Sequence, residues 1–137
     1  MIVVDSSAII AIMFDVAEAP ACMTALQAGG SRLISAVNYV ETGTVIAGRN
    51  RSGDRREAVA DLDAFLTDFR IDITPIDDRL ARAAMKARIH YGQGFGTPGG
   101  LNFGDCFAYA LAKQHSASLL CVGNDFGLTD VQSALAT

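Results

Sequence analysis

Four carboxylates sit in apolar local settings that a purely solvated acid would seldom occupy. Asp5 follows Ile2-Val3-Val4, Glu41 follows Tyr39-Val40, Asp105 closes Leu101-Asn102-Phe103-Gly104, and Asp125 precedes Phe126 in Gly123-Asn124-Asp125-Phe126. Taken singly, Asp5 and Asp105 fit helix caps, Asp125 a turn residue and Glu41 a surface acid. Brought together they would repel one another, and burial would raise their pKa values further, so the cluster is costly unless a cation occupies it. Hard oxygen ligands without Cys or His select Mg²⁺ or Mn²⁺ over zinc. Such an ion acidifies a bound water and stabilises charge on a phosphoryl oxygen, which is the chemistry of phosphodiester hydrolysis.

Other reactive side chains offer less. Cys22, Cys106 and Cys121 are scattered and odd in number, and His90 and His115 have no ligand partner at i+3 or i+4, so neither a disulfide framework nor a zinc site is indicated. Gly94-Phe95-Gly96-Thr97-Pro98-Gly99 matches the dinucleotide fingerprint formally. Its context refuses that role, because a helix rather than a strand precedes it and no acid lies about 20 residues on. The stretch from Gly92 to Gly100 reads instead as a flexible loop beside the acids that shapes access. An aspartyl-phosphate enzyme is disfavoured as well. A dehalogenase-type phosphatase needs a second Asp where Ser7 stands, and a receiver domain needs a Lys after a late strand, whereas no Lys follows Lys113.

The elements that must position these acids alternate along the chain. Strands are expected at Ile2–Val4, Arg32–Ser35, Ile71–Ile76 and Ser118–Val122. Helices are expected after Ser6-Ser7, with one of the serines as cap, and over Ala17–Ala28, Val37–Arg49, Asp54–Phe69, Asp77–Tyr91 and Phe103–His115. Val59, Leu62, Phe65, Leu66 and Phe69 make Asp54–Phe69 the clearest amphipathic segment. Pro75 places the end of the third strand near an edge or loop. Strands alternating with helices indicate an α/β fold with a largely parallel sheet, and ligands in such sheets bind beyond the carboxyl ends of the strands.

At 137 residues, half of them hydrophobic, the chain is expected to form one domain over 1–137 with a sizeable core. No apolar run approaches the length of a membrane span, and no leader-like segment precedes Ile2, so a cytoplasmic location is expected. The net charge of −4 looks wrong for a nucleic-acid enzyme until the four clustered acids are set aside, which leaves eleven acids against eleven basic residues. Nine of those basic residues fall between Arg49 and Arg88. Arg49, Arg51, Arg55 and Arg56 could guide RNA phosphates, or could simply be a solvated helix end and loop. Arg79, Arg82 and Lys86 form a surface stripe in which Asp78 pairs with Arg82.

The chain resembles the PIN-domain ribonucleases, in particular the VapC toxins of bacterial toxin–antitoxin modules. The resemblance is carried by Val3-Val4-Asp5-Ser6-Ser7-Ala8, by Val40-Glu41, by Leu101-Asn102-Phe103-Gly104-Asp105-Cys106-Phe107-Ala108-Tyr109-Ala110-Leu111-Ala112, and by Gly123-Asn124-Asp125-Phe126 with Thr129-Asp130. It implies a three-layer α/β/α sandwich with a mainly parallel sheet. Asp5 and Asp105 would be the principal Mg²⁺ ligands, with Mn²⁺ as the other candidate ion, and Glu41 and Asp125 would complete the acidic pocket. Ser6 or Ser7, Asn102 and Thr129 would hold those carboxylates in place. The implied reaction is endonucleolytic attack by water on RNA, leaving 5′-phosphate and 3′-hydroxyl ends. A cognate antitoxin and a homodimer are implied partners; independently of the resemblance, an exposed part of the apolar helices is the expected dimer face. Family members often carry a His before the proline where this chain has Thr97-Pro98, which touches substrate contacts rather than the metal site. The alternative is a catalytically inactive PIN-like module that binds RNA or protein, although such a module would be expected to have lost one or more acids.

Overall fold

The computed structural model describes residues 1–50, 53–96 and 99–135. Its short strands are β1 (Ile2–Val4), β2 (Arg32–Ser35), β3 (Ile71–Thr74) and β4 (Ser118–Leu120). Successive strand residues point to opposite faces, and this alternation sorts the apolar side chains into two cores. Val3, Leu33 and Leu119 meet one face, whereas Val4, Ile34 and Leu120 meet the other. The helices are α1 (Ser6–Met13), α2 (Ala19–Gln27), α3 (Ala36–Arg49), α4 (Arg55–Asp68), α5 (Asp78–Tyr91) and α6 (Phe103–Gln114). Leu80, Ala84 and Ala87 of α5 and Ala108 and Leu111 of α6 cover the first face. Ile9, Leu26, Ile46, Leu62 and Leu66, from α1 to α4, cover the second.

The strand order is β3-β2-β1-β4 and every pairing is parallel, with Ile2 opposite both Arg32 and Ser118. The chain therefore steps outward from β1 to β3, then crosses back to set β4 on the other side of β1. Right-handed crossovers running in opposite directions place their helices on opposite faces, which is why α1–α4 and α5–α6 are segregated. The result is the expected three-layer α/β/α sandwich. It also creates a switch point between β1 and β4, where the flanking connections diverge and leave a crevice at the carboxyl ends.

Several boundaries are tighter than the sequence suggests. β3 ends at Thr74, before Pro75, which has no N–H for the ladder. β4 ends at Leu120, so Cys121 and Val122 lie beyond the sheet. α2 starts at Ala19 with Pro20 in its first turn, where a missing N–H costs nothing. α1 is capped by Asp5 rather than by either serine, since the Asp5 carboxylate accepts from Ser7 N. The glycine-rich loop is closed at its base, where Gln93 N donates to Leu101 O at 2.9 Å and Leu101 N to Tyr91 O at 3.1 Å. A Cβ on Gly99 would come within 2.5 Å of Tyr91 O, so this closure needs glycine. Thr97-Pro98 lies outside the described residues.

Candidate metal and catalytic site

Asp5 leaves β1 at the switch point, its own N–H donating to Leu120 O of the neighbouring β4 at 2.9 Å. Its Oδ2 accepts from Ser7 N at 3.1 Å and from Ser7 Oγ at 2.6 Å, while Ser7 Oγ accepts from Val122 N at 2.9 Å. Asp5 Oδ1 is buried with no hydrogen-bond partner, alone in this among the described buried side-chain oxygens and nitrogens. A buried oxygen left unpaired costs free energy. Burial is also the main reason that the Asp5 carboxyl sits above the ordinary carboxylate range; the charge of Glu41 adds to it and the bonds from Ser7 oppose it.

Glu41 reaches the same place from the second turn of α3. Its Oε1 accepts from Ser6 Oγ and, at 3.5 Å, from Asn38 Nδ2. Asn38 is 0% exposed and ties the two acidic helices together, because Nδ2 also donates to Gly104 O of α6 at 3.0 Å. Its own placement is set by Ser35, the cap of α3, which accepts from Asn38 N at 3.0 Å. The backbone carbonyl of Asn38 accepts from Ser6 Oγ and Thr42 Oγ1. Gly104 provides the room, since a Cβ there would lie 2.3 Å from Glu41 Oε2. Sequence reasoning missed both Asn38 and Gly104. The one local signal was Ser35-x-x-Asn38, a capping pattern with an amide in the first turn.

Asp105 occupies the third position of α6 and forms a reciprocal cap with Asn102. Asp105 N donates to Asn102 Oδ1 at 2.9 Å, and Asn102 N donates to Asp105 Oδ2 at 3.0 Å. Its pKa is pushed up to about 7, first by burial and then by the charges of Asp5, Asp125 and Glu41, against the backbone bond from Asn102. Asp125 stands exposed in the loop after β4. The buried Cys121 thiol senses the same field and is pushed up to about 12 by burial and by Asp5, Asp105, Cys22 and Asp125. All four acids are thus within electrostatic reach of one centre.

The donor set fits a hard divalent ion, with carboxylate oxygens only, one of them buried and unpaired. Among the described residues no three such groups already stand close enough to grip an ion. The other expected residues are placed as follows. Ser6 holds Glu41, Ser7 holds Asp5 and Asn102 holds Asp105. Thr129 was expected to steady a carboxylate; its hydroxyl instead donates to Phe126 O at 2.8 Å, bracing the turn after Asp125. Arg49 lies over the Phe14 ring, 4.7 Å from its centroid. Arg55 and Arg56 are exposed at the start of α4, with Arg56 3.6 Å from Asp54. Arg51 lies outside the described residues.

Comparison with known proteins agrees with this fold. The PIN domain family model matches residues 2–131. Ribonuclease VapC28 of Mycobacterium tuberculosis is 42% identical over 135 residues, covering 97% of each chain. Among solved structures, the sarcin-ricin-loop-cleaving toxin VapC20 of Mycobacterium tuberculosis superposes with a TM-score of 0.77 at 16% identity, covering 99% of this chain and 100% of that one. A toxin–antitoxin complex from Klebsiella pneumoniae aligns with a TM-score of 0.70 at 18% identity over the whole of both chains.

Two outcomes are expected of the site itself. Asp105 carries a proton in the metal-free fold up to about pH 7 but ionises near 3.8 when unfolded. The folded state therefore binds the extra proton between those values, and this contribution to stability is full below about pH 4 and lost as pH rises to about 7. Urea melts in EDTA should show that decline in wild type and a flatter profile in Asp105→Asn, with the variant at least as stable at pH 8. A variant much less stable at pH 8 would make the acid structural. For Gly104→Ala, the new methyl displaces the flexible end of Glu41 rather than backbone. Its melting temperature should stay near wild type while the apparent affinity for Mn²⁺, read from thermal shifts, falls about tenfold or more. Unchanged affinity would remove Glu41 from the metal site.

Proposed function

Because the chain belongs to the PIN-domain family, we propose that it is a divalent-metal-dependent endoribonuclease, the toxin of a toxin–antitoxin module, acting as one nuclease domain over 1–137. The observation that carries this reading is the buried, unpaired Oδ1 of Asp5 at the sheet's switch point, where Asp5 feels the charge of Glu41 and Asp105 feels those of Asp5, Asp125 and Glu41. An apolar substrate would leave that oxygen uncompensated, whereas a cation satisfies it and relieves the repulsion around it. The 42% identity to a ribonuclease over nearly the full length of both chains supports RNA as the substrate.

Asp5, through Oδ1, and Asp105 would hold the ion, Mg²⁺ or Mn²⁺. When bound, that ion supplies a Lewis acid that acidifies water and offsets charge at phosphorus. Glu41 is fixed through Oε1, so its Oε2 is the oxygen that would take a proton from the attacking water. Asp125, exposed on its loop, would orient water on the open side of the site. The water oxygen bonds to phosphorus in line as the bond to the 3′-oxygen breaks. The leaving oxygen takes a proton, giving a 3′-hydroxyl on one fragment and a 5′-phosphate on the other. No 2′-hydroxyl acts as nucleophile, so preference for RNA would come from groove shape and 2′-OH contacts.

As partners we propose a cognate antitoxin, whose basic side chain would enter the acidic pocket, and a second copy of the chain. A monomeric mass at micromolar concentration would count against the dimer. Among the described residues no helix is long and apolar enough to cross a membrane, and a cytoplasmic site of action is proposed with the toxin role.

The reading is tested by incubating end-labelled RNA with the protein in Mg²⁺ or in EDTA and mapping the new ends. Cleavage should require the ion and leave 5′-phosphates. Asp105→Asn should lower the rate by more than the roughly 10–100-fold typical of partners lying behind metal ligands. RNA binding without cleavage by the wild type would instead establish an inert binding module.

A further inference from the structure

A second cavity opens on the other side of the α6 N-terminus, away from the acids. Phe103 and Phe107 stand one turn apart with ring centroids 5.1 Å from each other. Met85 and Arg88 of α5 face them, Phe95 of the glycine-rich loop closes the third side, and Cys106 forms the floor. The cavity, open to solvent on one side, has a volume of about 160 Å³. An apolar protein cavity of about 150 Å³ accepts a benzene ring, so the space suits one flat ring system. Phe103 is 65% exposed and Phe95 51%, an unusual amount of aromatic surface to leave in water beside a cavity. The Arg88 guanidinium lies 5.0 Å from the Phe95 centroid and is oriented by its bond to Gln93 O at 3.0 Å.

We infer that this cavity is a substrate subsite that stacks one unpaired nucleobase of the RNA near the bond to be cut, with Phe103 and Phe95 as the platform and Arg88 as a positioning residue. The inference rests on the ribonuclease reading above. It is favoured over a purely apolar protein ligand by two observations. The lining includes a permanent cation already stacked on a ring, as single-stranded nucleic acid sites combine aromatic faces with Arg. The cavity also shares a helical turn with Asp105, so a base held there belongs to a nucleotide close to the scissile phosphate. Among the described residues, Arg88 is the one charged side chain in the lining, so stacking rather than edge recognition is the contact this subsite offers a base.

The test uses the intact protein and a short single-stranded oligoribonucleotide that the wild type cleaves. Phe103→Ala and Phe95→Ala remove exposed side chains, so both should fold, as checked by circular dichroism. Each should raise KM about tenfold or more with kcat little changed, the pattern of lost binding rather than lost chemistry. Phe103→Tyr should keep the wild-type KM, whereas Phe103→Leu, which retains bulk without a flat ring, should not. An abasic nucleotide at the matching position in the RNA should cost as much as Phe103→Ala, and the two losses should not add. Ile73→Ala, exposed on the edge strand, should change nothing. Wild-type KM in both Ala variants would overturn the subsite while leaving the ribonuclease reading intact. So would a changed oligomeric mass with RNA binding preserved, which would make the cavity a protein contact. A wild type that neither binds nor cuts RNA would overturn the parent reading.

Discussion

Three of the four acids divide their two oxygens between the fold and the site, and this division governs the local structure. Asp5 gives Oδ2 to the cap of α1 and keeps Oδ1 buried and unpaired. Asp105 gives Oδ2 to the reciprocal cap of α6, and among the described residues nothing hydrogen-bonds its Oδ1. Glu41 gives Oε1 to Ser6 and Asn38 while Oε2 rests against Gly104. A carboxylate held by one oxygen cannot swing away from its neighbours to relieve repulsion. That cost, mostly of burial with the neighbouring charges adding to it, shows in the raised pKa values of Asp5 and Asp105, the latter at about 7. Two helix N-termini partly offset it, because a helix start favours negative charge within its first turn. The remainder is the driving force that a divalent ion would satisfy.

This arrangement depends on strand order more than on any single contact. β1 sits between β2 and β4, so the loop after β1 emerges where connections on either side depart to opposite faces. The helix that follows β2 brings Glu41 to one wall of that crevice, and α6 on the opposite face brings Asp105 to the other. Asn38 spans the gap by bonding Glu41 and the Gly104 carbonyl at once. A fully buried amide with both ends satisfied sets the separation of two helices more firmly than apolar packing, which tolerates small slips. The acids are thus held in register by a neutral residue that need not touch the ion.

The order and type of elements were legible in the sequence because each strand is a short apolar run bounded by polar or glycine punctuation. Apolar neighbours marked Asp5 and Asp105, which the fold buries, as unlike solvated carboxylates, whereas Asp125 with a similar local setting stands exposed. The cap of α1 was misassigned to a serine, since Asp5, Ser6 and Ser7 are all good caps and composition cannot rank three adjacent candidates. Asn38 was illegible for a different reason. Its meaning lies in a bond to Gly104, 66 positions away, and no local pattern announces a contact of that range. Thr129 illustrates the converse, because a residue close in sequence to Asp125 spent its hydroxyl on its own turn. Whether the arginines near Gly53 meet substrate was equally unreadable, since an exposed guanidinium has the same sequence signature in either role.

The first turns of α6 separate two kinds of work. The Asp105 side is acidic, and without a cation it repels phosphate. The Phe103 side is aromatic and carries Arg88; burial holds the Cys106 thiol between them above its ordinary range, with the Arg88 charge opposing that rise and the Asp105 charge adding to it. An acidic pocket alone is a poor place to bind a polyanion, because every carboxylate that serves the chemistry opposes the approach of its substrate. Stacking and a cation on the far side of the same helix would supply affinity that does not pass through the metal site. Ground-state binding and bond cleavage would then be carried by different residues. In the proposed enzyme, loss of the ion would abolish cutting while leaving part of the RNA affinity in place.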